Sequence, residues 1–248
     1  MKPTDLEQRM RSGECFHSIR LLPGTWTVIR VDGRSFTRFT ESRFEKPYDE
    51  RFRDHMIAVC RALMREMNGI YAFTESDEAS ILFPPSWDMF DRELEKLVSI
   101  SAGIASSAFT HSCGEPAHLD SRVWLGADIE TVIDYFLWRH LDAARCCLNG
   151  WCYWTLRKSG QGYRETSAQL EQKSTAWKNE SLFQNGINFN DVPAWQKRGV
   201  GVYWRSEEIE GYNPVRDEKT TALRRKLITD LDLPMKEEYR QFVRSLIG

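Results

Sequence analysis

No stretch of the 248 residues approaches the roughly 18 consecutive apolar residues that a membrane-crossing helix needs, which excludes a helical membrane protein. The six cysteines, Cys15, Cys60, Cys113, Cys146, Cys147 and Cys152, contain no C-x-x-C pair. That spacing speaks against a zinc site or a disulfide framework and for reduced, mostly buried thiols. There is no internal repeat, no low-complexity linker and no excess of positive charge, the formal net charge being -2. A general nucleic-acid binder is therefore not indicated, although one local basic face remains possible. Two basic clusters, Lys197-Arg198 and Arg224-Arg225-Lys226, read as solvated surface. The N-terminus, MKPTDLEQRMRSGE, has no apolar segment of the kind a secretory signal carries, so a cytoplasmic location is expected.

What is present is an ordinary globular composition, 41% hydrophobic and 28% charged, in a chain long enough for a core domain with an appendage. Residues 25 to 31 (TWTVIRV) are strand-like. Residues 49 to 68 repeat apolar side chains at helical spacing (Phe52, Met56, Val59, Cys60, Leu63, Met67) and stop at Gly69. IYAFT and ASILF flank the acidic tetrad ESDE as a hairpin, and Pro84-Pro85 ends the second strand. A helix is predicted over 88 to 110 and a fourth strand at RVWLG, 122 to 126. The order β-α-β-β-α-β is that of a ferredoxin-like, split βαβ sandwich of the α+β class. Residues 128 to 158 predict one long helix or two, 162 to 183 a further helical stretch, VGVYW a strand, and the charged tail from 217 a helix at its end. The expected division is a palm at 1–126, with an N-terminal extension, and a helical and mixed region at 127–248 packed on it as one unit.

In that topology the third strand lies between the first and second, so the turn ESDE comes beside the end of strand one, where VIRVDGRSF places Asp32. Asp32 then faces Ser76, Asp77 and Glu78. Carboxylates gathered at one sheet end raise each other's pKa unless a cation sits between them. The donors are hard oxygens, which points to Mg²⁺ rather than zinc. Two such ions bridged by Asp32 and Asp77 would suit in-line displacement at phosphorus. The backbone N–H groups of Gly33, Arg34, Ser35 and Phe36 are candidates to cradle a triphosphate, with Gly33 allowing close approach. Lys46 in FEKPYD is a further cation near this site, while Arg139 and Lys178 on the appendage read first as solvated or ion-paired side chains. Asp120 and Arg122 flank strand four and pair in the simplest reading. WCYWTL, 151 to 156, reads as core packing rather than a base-stacking platform.

Taken together, VIRVDGRSF, FEKP, SDEAS, LDSR, the WRHLD helix, KNESLF and GINFND…KRG resemble the tRNA(His) guanylyltransferase family with its Thg1-like proteins, over roughly residues 22 to 204. The resemblance implies a polymerase-like palm, two Mg²⁺ ions, GTP or other NTPs and ATP as substrates, and addition of nucleotides in the 3′-to-5′ direction at a tRNA 5′ end. It also implies a homotetramer. By position, Asp32 and Asp77 match the metal-binding carboxylates, the carbonyl of Gly33 a backbone ligand, and Glu78 an acid beside them. Gly33, Arg34, Ser35, Phe36 and Thr37, with Ser76 and Asp77, match the nucleotide-binding segment. Lys46 corresponds to a lysine acting in 5′-end activation, and Arg139, Asp142, Lys178 and Asn179 to the helical region that handles tRNA and nucleotide.

The chain also departs from that pattern. A His-Ile-Asn-Asn stretch of relatives is Ala144-Arg145-Cys146-Cys147 here, a glutamine is His140, a histidine is Thr37, and the glutamine before SDE is Glu75. These changes point toward the bacterial and archaeal Thg1-like branch, which repairs truncated tRNA 5′ ends by templated addition. The competing classes are a palm-type nucleotide cyclase or diguanylate-cyclase-like enzyme, and a noncatalytic tRNA-binding protein, which would not need to keep Asp32, Asp77 and Glu78.

Overall fold

The computed structural model describes residues 3–213 and 218–247; the ends of the two predicted regions, at residues 1, 2 and 248, lie outside the described residues. After a short helix α1 (Pro3–Arg11), the first unit is strand β1 (Trp26–Gly33), the short helix α2 (Phe36–Glu41), helix α3 (Glu50–Glu66), and strands β2 (Tyr71–Glu75) and β3 (Glu78–Phe83). Helix α4 (Leu94–Cys113) and strand β4 (Leu119–Gly126) complete it. Beyond lie α5 (Ile129–Lys158), α6 (Tyr163–Leu170), α7 (Thr175–Gln184), α8 (Ala194–Arg198), β5 (Val200–Asn213), β6 (Glu218–Asp230) and α9 (Lys236–Ile247). The sheet runs β4-β1-β3-β2-β5-β6 with every neighbouring pair antiparallel. The predicted βαββαβ palm is its first four strands, with β3 between β1 and β2 as expected.

The alternation of strand side chains sorts the core into two layers. Ile29, Val31, Ile81 and Phe83 face α3 and α4, where Met56, Val59, Leu63, Leu97 and Phe109 are buried. Val28, Tyr71, Phe73 and Leu82 face the opposite way, toward Val132, Ile133 and Phe136 of α5 and Tyr239 and Val243 of α9. Helix α3 begins at Asp49, whose side chain accepts the backbone N–H of Arg51, and it ends just before Gly69. A Cβ at Gly69 would come within 2.6 Å of the Ile81 side chain, so glycine is required by the close approach of the chain to β3.

Three sequence expectations are revised, and the choice left open between one helix and two over 128 to 158 is decided for one. The helix predicted from Asp88 starts at Leu94, after a left-handed turn over Met89–Arg92 in which Phe90, Asp91 and Arg92 take positive φ. The buried Arg92 guanidinium donates to the carbonyl of Trp87 (2.8 Å) and to Thr27 Oγ1 (3.1 Å), and this network overrides helical periodicity. Residues 128 to 158 form a single 30-residue helix, begun by the Asp128 cap. The stretch 162 to 183 is two helices, parted by Gln172 at positive φ and restarted where Ser174 caps Trp177. The charged tail contains β6, hidden because Arg224, Arg225 and Lys226 lie on an edge strand where polar side chains are favoured. Only Val200–Tyr203 of β5 pairs with β2; beyond Trp204 the β5–β6 pair continues as an arm of its own. All six cysteines are free, and Cys60, Cys147 and Cys152 are buried. Among the described residues no helix is long and apolar enough to cross a membrane.

Candidate functional site

The end of β1 is tied to the β2–β3 turn by one hydrogen bond, from Gly33 N–H to the carbonyl of Asp77 (3.0 Å), and Asp32 lies opposite Glu78 in the ladder. Ser76 takes positive φ to make the turn, and its hydroxyl donates to Asp77 Oδ1 at 3.2 Å. A cavity of about 600 Å³ opens over this sheet end, lined among others by Asp32, Lys46, Ser76, Asp77, Arg139 and Trp154. Burial, and then the charge of Asp32, push the Asp77 carboxyl above the usual aspartate range, with Lys46 opposing. Arg122 is 3.0 Å from Asp120, the pair expected from sequence, and reaches no nearer than 3.8 Å to Asp32.

Glu78, in contrast, is neutralised from within the fold. Arg139 Nε lies 2.6 Å from its carboxylate and Arg30 Nε 3.7 Å. Arg139, itself buried, also reaches Asp142 at 3.2 Å, and Arg145 closes on the same carboxylate. Arg139 and Asp142 thus sit on the cavity wall, as members of an ion-paired chain that fixes α5 to β3. Lys46 donates to Thr40 Oγ1 (2.6 Å), lies 5.8 Å from the Trp154 ring, and has its pKa lowered by burial.

The phosphate cradle expected at Gly33 to Phe36 is smaller than the sequence suggests. Gly33 N–H is taken by Asp77, and Arg34 N–H donates to the carbonyl of His118 (2.9 Å). This leaves Ser35, Phe36 and Thr37, at the start of α2, to offer backbone donors. The need for glycine at 33 has a packing cause, because a Cβ there would meet the Phe36 ring at 2.3 Å. Lys178 and Asn179 lie on α7 and do not line the cavity; Asn179 Nδ2 donates back to the Thr175 carbonyl. The WCYWTL stretch divides: Cys152 and Leu156 are buried, whereas Tyr153 and Trp154 line the cavity, which corrects the reading of that whole stretch as core.

Sequence reasoning missed Tyr48, Tyr163, Trp195 and Gln196, which also line the cavity. The Tyr48 and Trp195 rings meet edge to face at 5.7 Å. The signal for Tyr48 and Trp195 was an aromatic residue inside an otherwise polar motif, FEKPYD and DVPAWQKRG. Glu75 is a further addition; burial, then the charge of Glu78, push its carboxyl up to about 8. With Asp142 and Cys146 it places three possible ligand atoms within 4.8 Å of one another. That trio fits Mg²⁺ less well than Asp32 and Asp77, because Asp142 is committed to two guanidinium groups and Cys146 offers a thiol, a soft ligand. Asp32, with only the more distant Arg122 at 3.8 Å, and Asp77, with no guanidinium partner among the described residues, offer hard oxygens of the kind that suit Mg²⁺.

The residues matched by known families confirm the resemblance. The family model described as tRNAHis guanylyltransferase matches residues 7–129, and that of the Thg1 C terminal domain matches 130–238. A tRNA(His) guanylyltransferase of Neurospora crassa is 34% identical over 91% of this chain and 82% of its own length. The chain belongs to the tRNA(His) guanylyltransferase family. A second relative, from Schizosaccharomyces pombe, is 34% identical over 84% of this chain and 83% of its own length. Among solved structures, the tRNA(His) guanylyltransferase of Saccharomyces cerevisiae superposes with a TM-score of 0.69 at 29% identity, covering 74% of this chain and 87% of that one. A bacterial Thg1-like protein in complex with ATP shares the fold over 98% of this chain and 99% of its own, with a TM-score of 0.76 at 24% identity.

Proposed function

We propose that this protein is an Mg²⁺-dependent nucleotidyltransferase that adds nucleotides in the 3′-to-5′ direction to the 5′ end of tRNA. The observation that carries the reading is the pairing of Asp32 with Asp77 at the end of β1, in a cavity, with no guanidinium neutralising Asp77 among the described residues. Asp32, Asp77 and the Gly33 carbonyl would hold Mg²⁺, which supplies charge stabilisation for oxygens at phosphorus. Ser35 to Thr37 offer backbone donors to phosphate oxygens, Ser76 fixes the Asp77 carboxylate, and Lys46, which lines the same cavity, would meet the 5′-phosphate. Tyr153 and Trp154 present faces on which a base stacks. A tRNA 5′-monophosphate is first adenylylated by ATP with loss of pyrophosphate; the 3′-hydroxyl of the incoming NTP then attacks that phosphorus and AMP leaves. Related structures bound to ATP and to GTP support these nucleotides as substrates.

Glu78, Arg139 and Asp142 act in this reading by holding the cavity wall, and Lys178 and Asn179 by contacts to tRNA outside it. The palm at 1–126 and the region at 127–248 work as one packed unit, supported by the pairing of β2 with β5. A homotetramer in the cytoplasm completes the proposal, and the exposed Met10, Phe16 and Leu22 near the N-terminus are compatible with burial between copies. Ala144, Cys146 and Cys147 offer few groups for reading an anticodon base, and Arg145 is engaged with Asp142, which favours repair of several tRNAs over selection of tRNA(His).

The test is incubation with 5′-truncated tRNAs, ATP, Mg²⁺ and all four NTPs. Extension by the base that pairs with the opposite acceptor strand, on several tRNAs, is expected. Formation of a cyclic nucleotide without RNA, or tRNA binding with no extension, would overturn the proposal in favour of a cyclase or a noncatalytic binder.

A further inference from the structure

Helix α2 separates two concave surfaces. Phe36 and Thr40 are its buried positions, and Thr37, Thr40 and Glu41 line the catalytic cavity. Arg38 lies midway between Phe36 and Thr40, about 200° around the helix from each, and so projects to the other side. A second cavity opens there, of about 640 Å³, lined by Arg34, Arg38, Arg43 and His118 and sharing Phe36 and Glu41 with the first. Arg34 and Arg38 are exposed and form no ion pair among the described residues. Arg43 lies over the Phe39 ring at 4.5 Å and 3.6 Å from Glu115, which pre-orients it along the rim.

We propose that this outer cavity binds backbone phosphates of the RNA strand whose 5′ end lies at Asp32 and Asp77. The inference rests on the tRNA reading above. Three guanidinium groups face two carboxylates, Glu41 in the lining and Glu115 beside Arg43, which leaves Arg34 and Arg38 as an unpaired positive excess among the described residues of a chain whose formal charge is -2. Guanidinium forks match phosphate oxygens, and such contacts position a strand without reading its sequence. The hollow shares a wall with the catalytic cavity, so a strand leaving the reacting end crosses it next. The contacts come from side chains; the Arg34 backbone N–H is already bonded to His118.

The measurement is tRNA affinity as a function of salt for the full chain, with ATP affinity alongside. Arg38→Ala, and Arg38→Ala combined with Arg43→Ala, should weaken tRNA binding about equally for different tRNAs and flatten the plot of log K against log salt by about 0.7 to 0.9 per lost contact. ATP affinity should not change, and Arg38→Lys should recover most of the slope, which a merely misfolded variant would not do. An unchanged salt slope in the double variant overturns the inference. Weakened ATP binding with unchanged tRNA binding also overturns it and gives the hollow to a free polyphosphate. If the wild-type chain neither binds nor extends tRNA, it is the tRNA reading that fails first.

Discussion

Asp77 and Glu78 are adjacent in sequence, on one turn, yet the fold treats them in opposite ways. Burial pushes both carboxyls up. At Glu78, Arg139 and Arg30 oppose the shift, so the charge is balanced by groups the fold itself supplies. At Asp77 the next cause after burial is the charge of Asp32, which pushes the same way; a backbone hydrogen bond, the Ser76 hydroxyl and the half-committed Lys46 oppose it, and no guanidinium is among them. A balanced carboxylate holds two elements together. An unbalanced pair at a cavity stores repulsion that an incoming cation relieves, which separates a structural acid from a metal-binding one within two residues.

The sharpest way to break that comparison is Asp77→Ala. Nucleotide addition should fall by a factor on the order of 10⁴, ~5.4 kcal/mol in the barrier, because a shared metal ligand is lost. Thermal stability should hold or rise, since the substitution also removes repulsion with Asp32. Steady-state rates and a melting curve on the same preparation check both halves. A variant that keeps a tenth of the rate would place the metal elsewhere.

The mirror experiment is Arg139→Leu. It strands Glu78 in the interior without its nearer partner and frees Asp142 from one of two, so the chain should lose ~4 kcal/mol of stability by denaturant unfolding. Replacing Arg139 and Glu78 together by apolar residues should recover much of that loss. If Arg139→Leu were as stable as wild type, the neutralised half of the comparison would be a surface pair in disguise.

Both halves differed in how far the sequence disclosed them. Asp32, Asp77 and the palm order were legible because strand ends, a turn and hydrophobic periodicity are local signals. The pairing of Glu78 with Arg139 was not, because the two are brought together by the packing of α5 on β3 across 61 positions of chain, counted from 78 to 139. Strand β6 and the left-handed turn before α4 were lost for related reasons. The first is an edge strand with no apolar stripe, and the second is set by the contacts of its buried Arg92 with Trp87 and Thr27 rather than by local periodicity. Tyr153 and Trp154 show the same limit: helical spacing placed them beside buried neighbours and could not tell which side of α5 meets a cavity.

The smallest effect expected tests the turn itself, at Glu75, where relatives by resemblance carry glutamine. Its folded carboxyl is raised to about 8 from an ordinary value of 4.5, mainly by burial. Across that window the folded protein keeps a proton that the unfolded chain has released, so stability is full below pH 4.5 and is lost as pH rises toward 8. Each unit of displacement is worth ~1.4 kcal/mol, while the exchange of a buried carboxylic acid for an amide adds an offset that does not depend on pH. Glu75→Gln should therefore gain on the wild type as pH rises from about 4 to about 9, starting from the offset that the amide sets near pH 4. Unfolding free energies measured at several pH values decide it. A gap that stays constant with pH would mean that Glu75 is already ionised at neutral pH, and that the cavity wall carries one more free negative charge beside Asp77 than the comparison assigns to it.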